Sequence, residues 1–134
     1  MKRPLIAYIA TLIGFLAVDS VWLFTMADLL YRPALGDMLA PEFRPVPALI
    51  FYLIFVGGLT FLAVLPGVRL QRLGHAAGHA AVMGFVAYAT YDLTNQATLK
   101  IWPTYLTIAD LIWGTVLSAL SASIGYALTR KFAD

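Results

Sequence analysis

The chain has no cysteine, so disulfides, thiol nucleophiles and thiolate-ligated clusters are excluded. Charge is almost as scarce: 12% of the residues, against roughly 25% in a soluble domain that must cover a water-facing surface. There is no glycine-rich phosphate loop, no Gly-x-Ser-x-Gly elbow and no Glu-x-x-His pair, and nothing nominates a nucleophile. The two histidines, His75 and His79, are too few for the histidine boxes of a membrane desaturase. At i, i+4 they share one helix face and cannot supply two opposed axial ligands to a haem. Beside Arg72 and Gly74 they suit a structural or interfacial role, and no metal site is expected.

Apolar sequence is what the chain has in abundance. It is 61% hydrophobic with a mean hydropathy of +0.83. Four apolar runs, at about 4–30, 46–65, 75–93 and 105–128, each reach the ~20 residues that cross a hydrocarbon core. They are too long for barrel strands and lack period-2 alternation, which leaves helices. The expected fold is all-α: a polytopic membrane protein of four transmembrane helices in an antiparallel bundle, one integral domain over 1–134. Lys2-Arg3 before the first run imitates a signal peptide. The run outlasts a 7–15-residue h-region and no cleavage site closes it, so an uncleaved first span is expected. Pro33, Pro41 and Pro45 are expected to make the 31–47 connection a non-helical or partly re-entrant outer loop. Pro66-Gly67 should end the second span, and Trp102-Pro103 should close the outer loop before the fourth.

Charge placement gives an orientation. Lys2, Arg3, Arg69, Arg72, Arg130 and Lys131 fall on one side of the four-span arrangement and Arg32, Arg44 and Lys100 on the other, which puts both termini in the cytoplasm. The pI near 9.0 reflects that anchoring, and no nucleic-acid partner is expected. Membrane lipid is the expected surrounding. Small residues at helical spacing mark close helix contacts: Gly74-x-x-x-Gly78 with Ala77 and Ala81, then Gly114, Ser118, Ser121 and Gly125, then Ala10, Gly14 and Ala17. Packing within the bundle is the first reading of these faces. A homodimer or a membrane-complex partner is the second.

Polar residues interrupt the apolar runs at a few places, and those places carry the functional reading. Tyr88-Ala-Thr-Tyr91-Asp92-Leu-Thr94-Asn95 sets phenols, hydroxyls, a carboxyl and an amide inside the third run. Intramembrane ionisable groups are costly and mark functional sites by default. Asp19 and Asp110 repeat the anomaly, each with a tryptophan three residues on, Trp22 and Trp113. Tyr88, Tyr91, Asp92 and Asn95 are expected to share one helix face. Counting from the helix ends puts Asp92 and Asp110 near the outer boundary and Asp19 ~16 Å below it. No Lys or Arg lies deep in a run to neutralise them. Three outcomes are open: the acids carry protons, accept hydrogen bonds from Tyr, Trp, Thr and Asn, or bind a cation assisted by the aromatic rings.

On Asp19…Trp22, Tyr31-Arg32, Tyr88-x-Thr90-Tyr91-Asp92-Leu93-Thr94-Asn95-x-Ala97-Thr98-Leu99, Trp102 and Asp110-x-x-Trp113-Gly114, the chain resembles a family of small four-span bacterial inner-membrane proteins that is a domain of unknown function. The resemblance runs from about Ile6 to Leu128. It implies the bacterial inner membrane as location, and it supplies neither catalytic roles nor a cofactor. Its members look as though they travel with genes for light- or oxidant-stress repair and acyl-lipid modification, which implies a link to membrane lipid or envelope stress.

The leading expectation is an acidic and aromatic intramembrane pocket opening toward the outer leaflet. Asp19, Trp22, Tyr88, Tyr91, Asp92, Asn95, Asp110 and Trp113 would form it, and it would bind or pass a small or lipid-like ligand with Asp19 as the titrating group. One alternative is a membrane-embedded enzyme or accessory subunit in acyl-lipid modification or envelope stress, with Asp92 or Asp110 as acid or base. Another is a structural subunit of a membrane complex. Proton-coupled exporters of the small multidrug-resistance type match in size and in a first-span acid. They use a Glu in a different motif, and the Tyr-Asp-Leu-Thr-Asn block is foreign to them.

Overall fold

Pro33 and Pro66 lie inside helices, where the sequence leads one to expect helix ends. The computed structural model describes residues 2–133. Its first helix, α1, covers Lys2–Met38, its last stretch a 3₁₀ turn at Gly36–Met38 entered through Gly36 at φ 52°, and its second, α2, covers Pro45–Leu70. A proline removes one N–H and crowds the carbonyl four residues back. Each helix answers with a wider π-helical turn that stops two residues before the proline, Ala27–Tyr31 in α1 and Thr60–Val64 in α2. At its end Arg32 N–H donates to the Ala27 carbonyl, and Leu65 N–H to the Thr60 carbonyl. Winding over five residues carries the chain past the ring without breaking the rod. The 31–47 loop thereby shrinks to residues 39–44, and the second helix passes Pro66-Gly67 to end at Leu70. A tight turn follows. Gln71 adopts a left-handed conformation, φ 54°, and Arg72 N–H closes on the Gly67 carbonyl at 3.0 Å.

Helix α3 spans Leu73–Thr98 and helix α4 spans Thr104–Phe132. A polar clasp joins them across the short connection. Trp102 Nε1–H donates to Thr107 Oγ1 at 3.1 Å, Thr107 Oγ1–H donates to Gln96 Oε1 at 2.7 Å, and Gln96 Nε2–H donates to Thr104 Oγ1 at 2.9 Å.

Neighbouring helices run antiparallel. Gly84 meets Ser118 and Tyr88 meets Gly114 between α3 and α4, while Thr11 meets Gly125 and Gly14 meets Ile124 between α1 and α4. Gly67 against Ala76 and Gly58 against Met83 fix α2 on α3 in the same sense. The core is built from Ala7 and Phe15 of α1, Val56, Leu59 and Val64 of α2, Ala76 and Ala80 of α3, and Leu117 and Ala122 of α4. Small residues bring α4 close to its neighbours: Gly114, Ser118, Ser121 and Gly125 are all buried. On α3 the expected small-residue face is the wrong one. Gly74 and Gly78 have open space around them, and the buried small residues are Ala76, Ala80 and Gly84. Of the expected α1 set, Ala10 and Gly14 are buried and Ala17 is exposed.

The distribution of polarity is that of a membrane protein. Phe24 is 86% exposed and Ile54 70%, whereas Asp19, Asp92 and Asp110 are 6%, 0% and 4% exposed. Water would reverse that arrangement. Helices α1, α2 and α4 are long and apolar enough to cross a membrane. Helix α3 has 26 residues and so the length, but His75, His79, Asp92 and Asn95 hold it below the others in hydropathy.

Candidate functional site

Asp19 is buried at the centre of the bundle and both its oxygens are occupied. Tyr52 Oη–H donates to Asp19 Oδ2 at 2.7 Å from α2, and Trp113 Nε1–H donates to Asp19 Oδ1 at 3.0 Å from α4. The Phe15 ring meets Tyr52 edge-on at 5.3 Å and fixes the phenol that reaches the acid. Tyr52 was not among the residues expected in the site. A tyrosine amid Phe51, Leu53 and Ile54 was its one signal in the sequence.

A second acid is held the same way. Tyr31 Oη–H donates to Asp110 Oδ1 at 2.6 Å, and Trp22 Nε1–H donates to Tyr31 Oη at 2.9 Å. Trp22 and Tyr31 are nine residues apart, which puts them about 180° from each other on a regular helix. The π turn at Ala27–Tyr31 rotates the phenol toward Trp22 and Asp110. Tyr31 therefore joins the site, although it was not among the residues expected there.

The indoles of Trp22 and Trp113 stack with centroids 4.4 Å apart, so the two acid centres form one continuous polar and aromatic layer. Asp19 lies close to the level of Asp110: it accepts from Trp113, which is three residues, about one helical turn, from Asp110 on α4.

Asp92 stands opposite Asp110 across the α3–α4 contact and interacts with it, yet neither Asp92 oxygen receives a hydrogen bond among the described residues. Beyond the acids, the layer borders a cleft of about 480 Å³ that touches all four helices. Its polar lining is Asp19, Tyr31, Tyr52, Tyr88, Asp110 and Trp113, and its apolar lining is Leu23, Pro47, Ala48, Phe51 and Ala87. Tyr91, 57% exposed, lies at its edge and meets Trp102 edge-on at 5.7 Å. No Lys or Arg is among its lining residues. Of the eight residues expected, Asp19, Tyr88, Tyr91, Asp110 and Trp113 line the cleft, and Trp22 and Asp92 stand behind them. Asn95 is half-buried on α3 and does not line it.

The histidine pair lies elsewhere. His75 and His79 stack at 3.8 Å between centroids, and His79 Nδ1–H donates to the His75 carbonyl at 2.9 Å. With Arg72, Gly74 and Gly78 they border an open groove on α3. Among the described residues no three His, Asp or Glu side chains converge as a metal site.

The chain belongs to the family described as "Predicted membrane protein (DUF2177)", whose model matches residues 4–127. No curated protein and no solved structure matches it.

Proposed function

We propose that this family member is a four-span protein of the bacterial inner membrane, with both termini cytoplasmic, that holds a small or lipid-like ligand in the cleft between its helices. The observation that carries the reading is the lining of that cleft: two buried carboxyls and four phenols together with apolar side chains, and no basic side chain among them. Such a lining fits an amphiphile, its head toward Asp19 and Asp110 and its apolar part along Leu23, Pro47 and Phe51. Of the two acids opposed across α3 and α4, Asp110 borders the cleft and Asp92 does not, so Asp110 is the one that meets the ligand.

Helix α3 is taken as the fourth span. At ~1.5 Å per residue it matches the hydrocarbon thickness, its one carboxyl, Asp92, is buried, and Gln96 bonds to Thr107 of α4. Lys2, Arg3, Arg69, Arg72, Arg130 and Lys131 lie toward one end of the bundle and Arg32, Arg44 and Lys100 toward the other, which supports the orientation. Reporters fused at the C-terminus and inserted near Asp37 test it: the first should report cytoplasm and the second periplasm.

Ligand binding is tested by native mass spectrometry of protein purified without added lipid. The wild type should retain a discrete bound mass. The Asp19→Asn variant, at an unchanged melting temperature, should lose it. Equal retention by both would remove Asp19 from the site.

A further inference from the structure

The contacts between α3 and α4 follow one register, in which Gly84 meets Ser118 and Tyr88 meets Gly114, and the next step along it sets Asp92 against Asp110. Asp92 is 0% exposed and, among the described residues, has no donor for either oxygen. A buried carboxylate without donors is costly, and its neighbour offers another acceptor. One proton resolves both deficits. With Asp92 protonated, its O–H donates to Asp110, while Tyr31 donates to Asp110 from α1. The other groups facing the pair add no positive charge: Asp19 from α1, and Tyr88 and Tyr91 from α3, with Tyr52 of α2 turned to Asp19.

We propose that Asp92 and Asp110 share a single proton, and that the cleft binds a monocationic amphiphile whose positive head, seated against Asp110, expels this proton to water. The inference rests on the cleft being a ligand site. It adds the ligand's charge class and a proton linkage. A cation at Asp110 stabilises the doubly ionised pair, and by reciprocity loss of the proton strengthens cation binding. The proton leaves to solvent as the cation enters, so the charge within the site stays constant. Asp92 is the proton's carrier because it lies behind Asp110, away from the cleft.

The test uses the full chain in lipid nanodiscs and dodecyltrimethylammonium, whose fixed charge carries no proton. Binding is followed by tryptophan emission, since Trp113 lines the cleft, with dodecanol as the uncharged probe of equal tail. Wild-type affinity for the cation should rise with pH, by up to about tenfold per pH unit where the pair titrates. In Asp92→Asn it should not vary with pH. The amide keeps a donor for Asp110 and so imitates the protonated acid without a proton to release. The infrared C=O stretch of a protonated carboxyl should be present in the wild type and absent in Asp92→Asn. Cation binding without pH dependence, or pH dependence that survives Asp92→Asn, overturns the shared proton and leaves the cleft standing. So does a wild type without the infrared band. Dodecanol binding without dodecyltrimethylammonium binding overturns the charge class alone. Binding of neither probe removes the cleft and the inference together.

Discussion

The indole of Trp22 lies flat on that of Trp113, with ring planes 6° from parallel and centroids 4.4 Å apart. The contact explains why Asp-x-x-Trp occurs on both α1 and α4. The indoles serve the opposite motifs: Trp113 donates to Asp19, and Trp22 reaches Asp110 through Tyr31. Because α1 and α4 are antiparallel, the two motifs meet by an approximate two-fold relation, each helix supplying an acid to the other's tryptophan.

This crossing makes the two tryptophans unequal in energy. Trp113→Phe keeps a ring for the stack and leaves Asp19 Oδ1 buried without its donor, which should cost about 1–3 kcal/mol. Trp22→Phe removes a donor only from Tyr31, whose own bond to Asp110 survives, and should cost about 1 kcal/mol or less. Melting temperatures in detergent rank the two. The reverse order would mean that the Tyr31–Asp110 link depends on Trp22.

The helix contacts predict an asymmetry among the α3 glycines. A Cβ at Gly84 would strike the Gly114 carbonyl and Ser118, so Gly84→Ala should destabilise by about 1–3 kcal/mol. A Cβ at Gly78 meets nothing within 4 Å, so Gly78→Ala should be neutral or slightly stabilising. Thermal unfolding of the pair checks this directly, and a loss at Gly78 would restore the Gly74-x-x-x-Gly78 face as a contact.

Gln71 holds a left-handed backbone at φ 54°, a conformation that disfavours a side chain with a Cβ. Gln71→Gly should therefore raise stability, by about 1 kcal/mol, without altering ligand retention. A fall in melting temperature would show that the turn between α2 and α3 has another conformation in the membrane.

Asp19→Asn should preserve the fold. The Asn oxygen can accept from Trp113, and its amide can donate to Tyr52, whose hydroxyl reverses its role. Stability should change by about 1 kcal/mol or less, while binding of a cationic ligand should fall, because the amide carries no charge. A collapse in stability would assign Asp19 to structure alone.

Much of this was legible in the sequence. The apolar runs foretold an all-helical chain, and Asp19, Asp92 and Asp110 stood out because carboxyls are costly among Leu, Val and Phe. Helix boundaries were misjudged at Pro33 and Pro66, since a π turn that absorbs a proline has no sequence signature. That turn also hid Tyr31 from a reading based on 3.6 residues per turn. Tyr52 was missed because an aromatic in an apolar run suits a lipid-facing position as well as a buried one. The Gly74-x-x-x-Gly78 spacing marks a surface suited to close approach. It does not say whether the bundle uses it.

A photo-crosslinking residue placed at Phe51, on the rim of the cleft, and at Ile54, one turn away and 70% exposed, tests the central claim most directly. Crosslinks formed in cells and identified by mass should give one dominant adduct at position 51 and a mixture following bulk phospholipid at position 54. The same phospholipid mixture at both positions would mean that the cleft is ordinary lipid-facing surface and would contradict the account.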